Sequence, residues 1–411
     1  MSHLGIVSAI SLASKGFDVI GVDTDPNLIE KLNLRIWPFS EPEIDATFKM
    51  ANNRIQFSSD VTRLKQSEVI FISMDVPTDD LSNSNLEIIE DIVEVASKNI
   101  SINAQLVILC QVPPGFTRKM KKYHANVSYQ VETLVFGEAF SRSLNPERII
   151  IGIEDETLEI GSAYSSILKS FDCPIFCMNY ESAEFTKISI NTYLATSIIT
   201  TNSLNALGRE VGAKWNEIVP ALQLDRRIGK YAYLKPGLGI SGGNIERDLK
   251  TLDNLAKFYN PDEESIFESF LHISQEQKKW ILDVICQELK NRRSDAKVGI
   301  LGIAYKENTN STKNSVALII AKKFAESIIG AYDPMALFPF ELDKIKIYKT
   351  PQECISLSDI VVIATPWAEF SKLDLETILG KRKELITFID PYNMLNSNYS
   401  NTNLKIINLA C

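Results

Sequence analysis

Histidine and cysteine are both scarce in this chain of 411 residues, which contains three histidines and six scattered cysteines. Such scattered cysteines in a long chain indicate no disulfide framework and suit a reducing compartment. Cys173 and Cys177 are spaced like a pair of metal ligands, but no histidine lies near them and the residues between them are typical of a strand. We therefore expect no metal site.

Long apolar runs and a basic surface are also lacking. No run reaches the roughly 18 apolar residues that a membrane-spanning helix needs. Residues 1–5 contain neither the basic region nor the cleavage site of a signal peptide. These absences predict a cytoplasmic protein. The net charge of −9 argues against nucleic acid or an anionic membrane as partner, so local cations, backbone amides or helix N-termini would hold an anionic substrate.

Hydrophobic periodicity divides the chain into three parts. A chain of this length is expected to form two or three domains. Residues 1–178 alternate helical patterns with short apolar strands, which indicates a parallel sheet. Residues 179–292 are helical apart from a glycine-rich stretch at 236–243, and the alternation returns in 293–411. The predicted fold class is α/β, with two Rossmann-like doubly wound parallel-sheet domains joined by a central helical domain. Three strands predicted in the first part cover residues 17–23, 69–73 and 105–109.

The start of the chain carries part of a dinucleotide-binding fingerprint. Such a site needs a strand, a Gly-x-Gly-x-x-Gly turn, a helix and an acidic residue about 20 positions further on. Gly5 fits the third glycine, and Asp23 lies 18 positions later at the end of a strand. A carboxylate there would bind the ribose 2′-hydroxyl of NAD. The alternative is that Asp23 is an ordinary carboxylate in a strand-end turn.

The strand that should precede this turn is missing, as is its first glycine, and Ser2 stands at the middle glycine. In a doubly wound sheet the first strand is central, so its loss would expose two rows of unpaired backbone groups. We therefore expect the true start to lie about ten residues upstream.

Further motifs follow one another along nearly the whole chain. Those in the first part are 2–5 with Asp23, 76–78, 112–115, Glu132 with 136–139, and 145–152. Those in the rest are Ala183, Glu184, Lys187, Asn191, 225–229, 237–243 with Asp248, 301–306, 332–334 and 365–370. Each motif is weak alone, but the ordered set is specific. In this order they resemble the UDP-glucose/GDP-mannose dehydrogenase family.

The resemblance implies two successive hydride transfers that convert the C6 hydroxyl of a nucleotide-sugar such as UDP-glucose to a carboxylate, with NAD as cofactor. It implies NAD binding by residues 1–178, dimerisation and the active site in 179–292, and binding of the nucleotide-sugar (UDP) by 293–411. A homodimer and a role in polysaccharide biosynthesis are implied as well.

The resemblance also implies roles for individual residues. The expected catalytic residues are Glu132, Lys187, Asn191, Asn244 and Asp248. The expected cofactor-binding residues are His3, Leu4, Gly5, Asp23, Pro77, Thr78, Gln111 and Lys313. The expected substrate-binding residues are Arg227, Gly239 and Lys306, with Arg227 reaching the substrate across a dimer interface.

Elementary chemistry is compatible with several of these roles. Lys187 and Asn191 share one helix face, where a cation and an amide can stabilise an alkoxide or hold a water, although a solvated face would show the same spacing. The glycines of 236–243 permit close approach of backbone to a ligand. Asp248 would lie one turn into the next helix, where the resemblance makes it a base or water-orienting group; an ordinary first-turn carboxylate is the alternative.

Asn244 stands where the family has a cysteine whose thiolate attacks the aldehyde intermediate. A carboxamide is not a nucleophile at neutral pH, although it caps helices and donates hydrogen bonds. A single oxidation, oxidation of the hydrated aldehyde, or binding alone would remain possible. Gln111 replaces a threonine, Arg247 a lysine and Tyr392 an arginine. Cys110 should face away from Gln111 on its strand, so we do not expect it to replace the nucleophile.

Three hypotheses follow. The first is an NAD-dependent nucleotide-sugar oxidoreductase with partial chemistry. The second is a non-catalytic homologue that binds nucleotide-sugar or pairs with an active subunit. The third is a 3-hydroxyacid or 6-phosphogluconate type of dehydrogenase, which shares the Rossmann-plus-helices plan; the second α/β domain with Lys306 argues against it.

Overall fold

The fold is described by a computed structural model over residues 1–79, 83–155, 160–339, 342, 345–380, 382–395 and 403–409. The chain divides into two compact units, Met1–Ile190 and Asn191–Cys411. Among the described residues, no helix is both long enough and apolar enough to cross a membrane.

The first unit alternates helices and strands. Its helices are α1 (His3–Ser14), α2 (Pro26–Asn33), α3 (Ile44–Ala51), α4 (Glu87–Lys98), α5 (Phe116–Met120), α6 (Ala139–Leu144) and α7 (Ser162–Lys169). Its strands are β1 (Val19–Val22), β2 (Ile55–Ser58), β3 (Val69–Ile72), β4 (Gln105–Ile108), β5 (Val127–Gln130), β6 (Ile149–Ile153) and β7 (Ile175–Asn179). The long helix α8 (Tyr180–Glu210) starts in this unit.

Two sheets form in the first unit. β1 and β2 pair in parallel as a separate two-stranded sheet, whereas β3 to β7 form a five-stranded sheet in chain order. The pairs in the larger sheet are parallel except for β5 with β6, which is antiparallel. The predicted strands at 17–23, 69–73 and 105–109 are confirmed as β1, β3 and β4. The strands contribute apolar side chains to the core of this sheet, and Ile72, Leu106, Ile108 and Tyr129 are all buried.

The second unit contains the rest of the helical run and a second sheet. Its further helices are α9 (Trp215–Leu224), α10 (Asn244–Tyr259), α11 (Ile266–Lys290), α12 (Val316–Lys323), α13 (Pro351–Ser356) and α14 (Leu375–Leu379). Its strands are β8 (Val298–Leu301), β9 (Ile328–Tyr332), β10 (Ile360–Ile363), β11 (Ile386–Asp390) and β12 (Leu404–Asn408). The strand order is β12-β11-β10-β8-β9 and every pair is parallel, which confirms a second doubly wound domain after a helical region.

Two buried carboxylates shape the ends of these strands. Asp333, just after β9, accepts hydrogen bonds from the backbone N–H groups of Ile303 at 2.6 Å and Ala304 at 3.0 Å. Asp390, the last residue of β11, accepts from the N–H groups of Met394 at 2.7 Å and Leu395 at 2.8 Å. These hydrogen bonds satisfy backbone amides in the loops that follow the strands. The two bonds to Asp333 fix the loop that leads to Lys306.

Close packing at Gly302 gives a test of this arrangement. Gly302 has φ +93°, and a Cβ atom there would lie 2.4 Å from Thr365 Cβ. We expect Gly302→Ala to lower the free energy of unfolding by about 2 kcal/mol or more, because the change adds both backbone strain and a clash. Denaturant titration of the full chain measures the loss.

Gly208→Ala is the matched control in the same unit. An added Cβ at Gly208 would meet its nearest atom, Ala213 Cβ, at 3.6 Å, and the residue lies within α8. We expect this variant to be neutral or stabilised by up to about 1 kcal/mol, because alanine favours helix. Equal losses in the two variants would contradict the packing described at Gly302.

Candidate active site and cofactor site

The N-terminal end of α1 holds three of the expected cofactor residues. His3, Leu4 and Gly5 form its first turn, after the N-cap Ser2. Ser2 Oγ donates to the Ser73 carbonyl oxygen at 2.6 Å, and a Cβ atom on Gly5 would lie 2.5 Å from Ser73 Oγ. A side chain at position 5 would require Ser73 Oγ to move, so the glycine favours the close approach of α1 to the end of β3. The first amides of a helix have no intrahelical acceptor, so this end suits a pyrophosphate.

Asp23 directly follows β1 beside this helix end. Its Oδ1 accepts from the backbone N–H of Asp25 at 2.9 Å, and its second oxygen pairs with the Met1 amino group. A carboxylate at a strand end next to a helix N-terminus is the arrangement that binds the adenosine ribose of NAD. The residues of this region therefore fit the adenosine half of a dinucleotide.

The other expected cofactor loops follow β3 and β4. The Pro77 carbonyl oxygen accepts from Asn85 N–H at 2.8 Å, and Thr78 forms an isolated antiparallel bridge with Ser84. Gln111 lies just beyond β4 and is half-buried. Its neighbour Cys110 is buried, with Sγ 3.4 Å from the Ile72 carbonyl oxygen, so its thiol packs in the core of the first unit.

Glu184 on α8 anchors the loop after Gln111, a role that the sequence did not reveal. Its fully buried carboxylate accepts from Gly115 N–H at 2.5 Å and Thr117 N–H at 2.7 Å. Burial raises the pKa of Glu184 to about 7, against the opposing effect of these hydrogen bonds. The carboxylate thus holds the loop in place, although burial of its charge is energetically unfavourable.

Glu132 lies two residues beyond β5 in a hydrogen-bonded setting. Gln130 Nε2 donates to Glu132 Oε1 at 3.1 Å, and the Tyr164 hydroxyl donates to Gln130 Oε1 at 2.9 Å. Burial raises the pKa of Glu132, while the Gln130 hydrogen bond and the positive charge of Lys187 act to lower it. The first unit therefore brings Glu132 and Lys187 close enough to interact.

In the second unit, two expected catalytic residues are in direct contact. Asn191 Nδ2 donates to Asp248 Oδ2 at 2.6 Å, and both side chains are buried. A solvated helix face is therefore the wrong interpretation for Asn191. Asp248 lies one turn into α10, as expected. The donated hydrogen bond fixes the carboxylate of Asp248, which suits a base or a group that orients water.

Asn244 begins α10, but Gly243 rather than Asn244 is the N-cap. The side chain instead accepts a hydrogen bond: Arg247 Nη2 donates to Asn244 Oδ1 at 3.1 Å. The side chain of Lys313 runs past Gly243, whose added Cβ would lie 3.0 Å from Lys313 Cδ. Burial and the charge of Arg247 both lower the pKa of Lys313. Two cationic side chains therefore lie at the start of this helix.

The glycine-rich stretch before α10 is tightly held. Gly239 has φ +83°, and a Cβ atom there would lie 2.7 Å from the Ser274 carbonyl oxygen. Ser274 Oγ also accepts from the N–H of Ile240 at 2.8 Å. The glycine at 239 is thus required by packing against α11 as well as by backbone conformation, whatever ligand the loop contacts.

The two remaining expected substrate residues, Arg227 and Lys306, lie in loops of the second unit. Arg227 has an 89% exposed side chain and donates from Nη2 to Asp225 Oδ2 at 2.7 Å. Lys306 is half-buried in the loop that Asp333 fixes. Within the described ranges, no three His, Cys, Asp or Glu side chains gather in a way that would hold a metal ion.

The two units together define a class of protein: a dinucleotide-binding α/β protein with a helical segment and a second Rossmann-like domain. Comparison with known proteins narrows this class. Family profiles match the chain as the NAD binding domain over residues 1–172, the central domain over 181–274 and the UDP binding domain over 299–397. The chain belongs to the UDP-glucose/GDP-mannose dehydrogenase family, and its cofactor is NAD.

Relatives match the chain over nearly their whole length. A UDP-glucose 6-dehydrogenase of Rickettsia bellii is 28% identical over 96% of this chain and 94% of its own length. The UDP-glucose 6-dehydrogenase YwqF of Bacillus subtilis is 27% identical over 91% and 88%. A UDP-glucose dehydrogenase from Pyrobaculum islandicum has a similar fold, with a TM-score of 0.84 and 23% identity over 100% of this chain and 96% of its own. The protein is thus an oxidoreductase of the nucleotide-sugar dehydrogenase class.

The raised pKa of Glu184 predicts a pH dependence of stability. The unfolded chain releases this proton near pH 4.5 and the folded chain near pH 7, so the free energy of unfolding falls as the pH rises through that window. Glu184→Gln should remove this slope, which is worth at most about 3 kcal/mol across the window. Denaturant titrations from pH 4 to 8 measure it.

Glu181→Gln is the control, since Glu181 is a neighbouring acid whose pKa is lowered by a hydrogen bond from Arg118. It should leave the slope between pH 4.5 and 7 in place. A slope that persists unchanged in Glu184→Gln would contradict the assignment to Glu184.

Proposed function

We propose that the protein is a cytoplasmic enzyme that oxidises the C6 hydroxyl of a UDP-glucose-like nucleotide-sugar once, to the aldehyde. The observation that carries this proposal is the side chain of Asn244, held by Arg247 at the start of α10. When bound, NAD supplies the hydride acceptor. The match of residues 299–397 to the family's UDP binding domain supports the class of substrate.

The contact with Arg247 decides what Asn244 can do. A guanidinium carries only donors, so the atom of Asn244 that it contacts must be the carbonyl oxygen Oδ1. The Nδ2 group is then the part of the carboxamide left to meet a ligand, and it is a donor. A donor can bind an alcohol, alkoxide or aldehyde oxygen, but it cannot add to the aldehyde carbon as a thiolate does.

The other expected catalytic residues retain chemistry that suits the first oxidation. We assign Asp248, oriented by Asn191, to accept a proton or to orient water. We assign Lys187 to stabilise negative charge on the C6 oxygen. Glu132, whose pKa burial raises, would hold a proton nearer to neutral pH than an exposed glutamate does. Lys306 and Arg227 are assigned to the nucleotide-sugar.

The second candidate function is a non-catalytic homologue that binds the nucleotide-sugar or pairs with an active subunit. Asn244, Gln111 and Tyr392 favour it, because each departs from the residue that the family's pattern has there. Against it stand Asn191 and Asp248, whose buried hydrogen bond orients the carboxylate as the first oxidation requires.

We further propose that the protein is a homodimer that buries one face of α8. Tyr193, Leu204 and Leu207 recur at helical spacing on α8, with Val211 directly after its last residue, and their exposed fractions are 80%, 49%, 66% and 81%. A row of exposed large apolar residues on one helix is typical of an interface. The exposed Arg227 lies in the same helical region of the chain and would be available to a second copy.

Restoring the thiol tests the proposed chemistry. Asn244→Cys should form the carboxylate product from UDP-glucose, because the rest of the site supports the first step and the thiolate permits the second. Mass spectrometry of the product distinguishes acid from aldehyde. Asn244→Ala is the control and should form no acid. If the cysteine variant oxidises no nucleotide-sugar although it folds and binds UDP-glucose, the non-catalytic homologue is the better account.

The dimer is tested by charge at the exposed face. Leu207→Asp combined with Val211→Asp should convert a dimer to a monomer, because burying two carboxylates without partners is costly. Light scattering after gel filtration measures the mass. Glu210→Gln, a change on the same turn of α8 that adds no charge, is the control. A wild-type chain that is monomeric at micromolar concentration would contradict the proposal.

A further inference from the structure

Glu41 is a buried carboxylate that none of the assignments above uses. It lies between α2 and α3, and its side chain is 0% exposed. No motif in the sequence singles it out. A charged side chain is rarely buried to this extent unless hydrogen bonds compensate for the lost solvent.

Three donors converge on this carboxylate. Gly137 N–H donates to Oε1 at 2.9 Å and Ala139 N–H to Oε2 at 3.3 Å. His3 Nε2 lies 2.9 Å from Oε1. A carboxylate that accepts from all three groups assigns the ring hydrogen of His3 to Nε2. The carboxylate therefore joins one side chain to two backbone amides of another segment.

Two phenylalanine rings pack against the ring of His3. It stacks on Phe136 with ring centroids 4.2 Å apart, and it meets Phe39 edge-on at 4.5 Å. Phe136 comes directly before Gly137, so the ring stack and the hydrogen bonds connect the same two segments. Gly137 has φ +87°, a backbone conformation that glycine adopts readily.

The two segments have different assigned tasks. His3 begins α1, whose first turn fits the pyrophosphate of NAD. Residues 136–139 continue the segment that begins with Glu132. Glu41 is thus the point at which the cofactor end of α1 and the Glu132 segment are joined within the first unit.

We propose that Glu41 is a positioning residue that couples NAD binding at α1 to the placement of the Glu132 segment. The inference rests on the proposed function, because that function gives Glu132 and α1 their tasks. A ligand that orders α1 would order residues 136–139 through His3 and Glu41, and removal of either side chain would break the link.

Hydrogen–deuterium exchange of a peptide that covers residues 136–139 tests the coupling. In the wild type, saturating NAD should slow exchange there about tenfold or more. In Glu41→Gln, the NH₂ group of the new side chain would face one of the three donors, and that hydrogen bond would be lost. Exchange without NAD should therefore be about tenfold faster, and NAD should no longer slow it. Exchange elsewhere in the first unit, outside these contacts, should be unchanged.

Two further variants keep the test decisive. Glu43→Gln is the matched control, since Glu43 is an exposed acid two residues away, and it should behave as the wild type. His3→Phe preserves an aromatic ring but removes the donor. It should speed exchange of 136–139 at least about threefold without NAD, even if Glu41→Gln fails to fold.

The outcomes separate the inference from the proposed function. Unchanged exchange at 136–139 in His3→Phe, or an NAD effect that survives in Glu41→Gln, would overturn the coupling. A wild type that binds no NAD in a direct titration would overturn the proposed function, and the exchange in His3→Phe without NAD would still decide whether His3 and the 136–139 segment are linked.

Discussion

Loop amides at the ends of parallel strands need acceptors that the sheet does not supply, and buried carboxylates meet this need in both units of the protein. Glu41 and Glu184 do so in the first unit, and Asp333 and Asp390 in the second. Each accepts from at least two backbone N–H groups. The loops that carry the candidate site residues are shaped by these carboxylates, because a buried N–H without an acceptor would cost as much as the hydrogen bond it lost.

This constraint separates the scaffold from Asn244, where the resemblance implies a cysteine in the family. Asn244 lies at the start of α10, whereas the hydrogen bonds that hold the loops described above depend on other residues. Arg247 donates to the carboxamide of Asn244, and Lys313 runs past the preceding Gly243. The contact with Arg247 leaves Asn244 oriented as a donor, which suits binding of oxygen rather than attack on carbon.

Much of the fold was predictable from the sequence because strands and helices leave periodic patterns. β1, β3 and β4, the long helix α8 and the start of α10 at Asn244 follow from apolar runs and spacing. The antiparallel pairing of β5 with β6 was not predictable, because alternation of apolar residues says nothing about strand direction.

The candidate site was predictable only where motifs carry it. The spacing of Lys187 and Asn191 is visible in the sequence, but the Asn191–Asp248 hydrogen bond joins residues 57 apart, and the fold alone brings them together. Glu41 shows why such a residue escapes detection, and the contacts of Glu184 were equally invisible although a motif includes it. A lone acidic residue looks the same in a sequence whether it is solvated or buried among backbone amides, and its role depends on donors that are distant along the chain.

The central claim is that the site oxidises the nucleotide-sugar once and cannot complete the second step. The most direct measurement is the amount of NADH formed per mole of UDP-glucose, with UDP-glucose limiting and NAD in excess. We expect one NADH per sugar. Two would contradict it, since the acid would then form without a cysteine at position 244, and none, on this or any other nucleotide-sugar tried, would contradict catalysis itself.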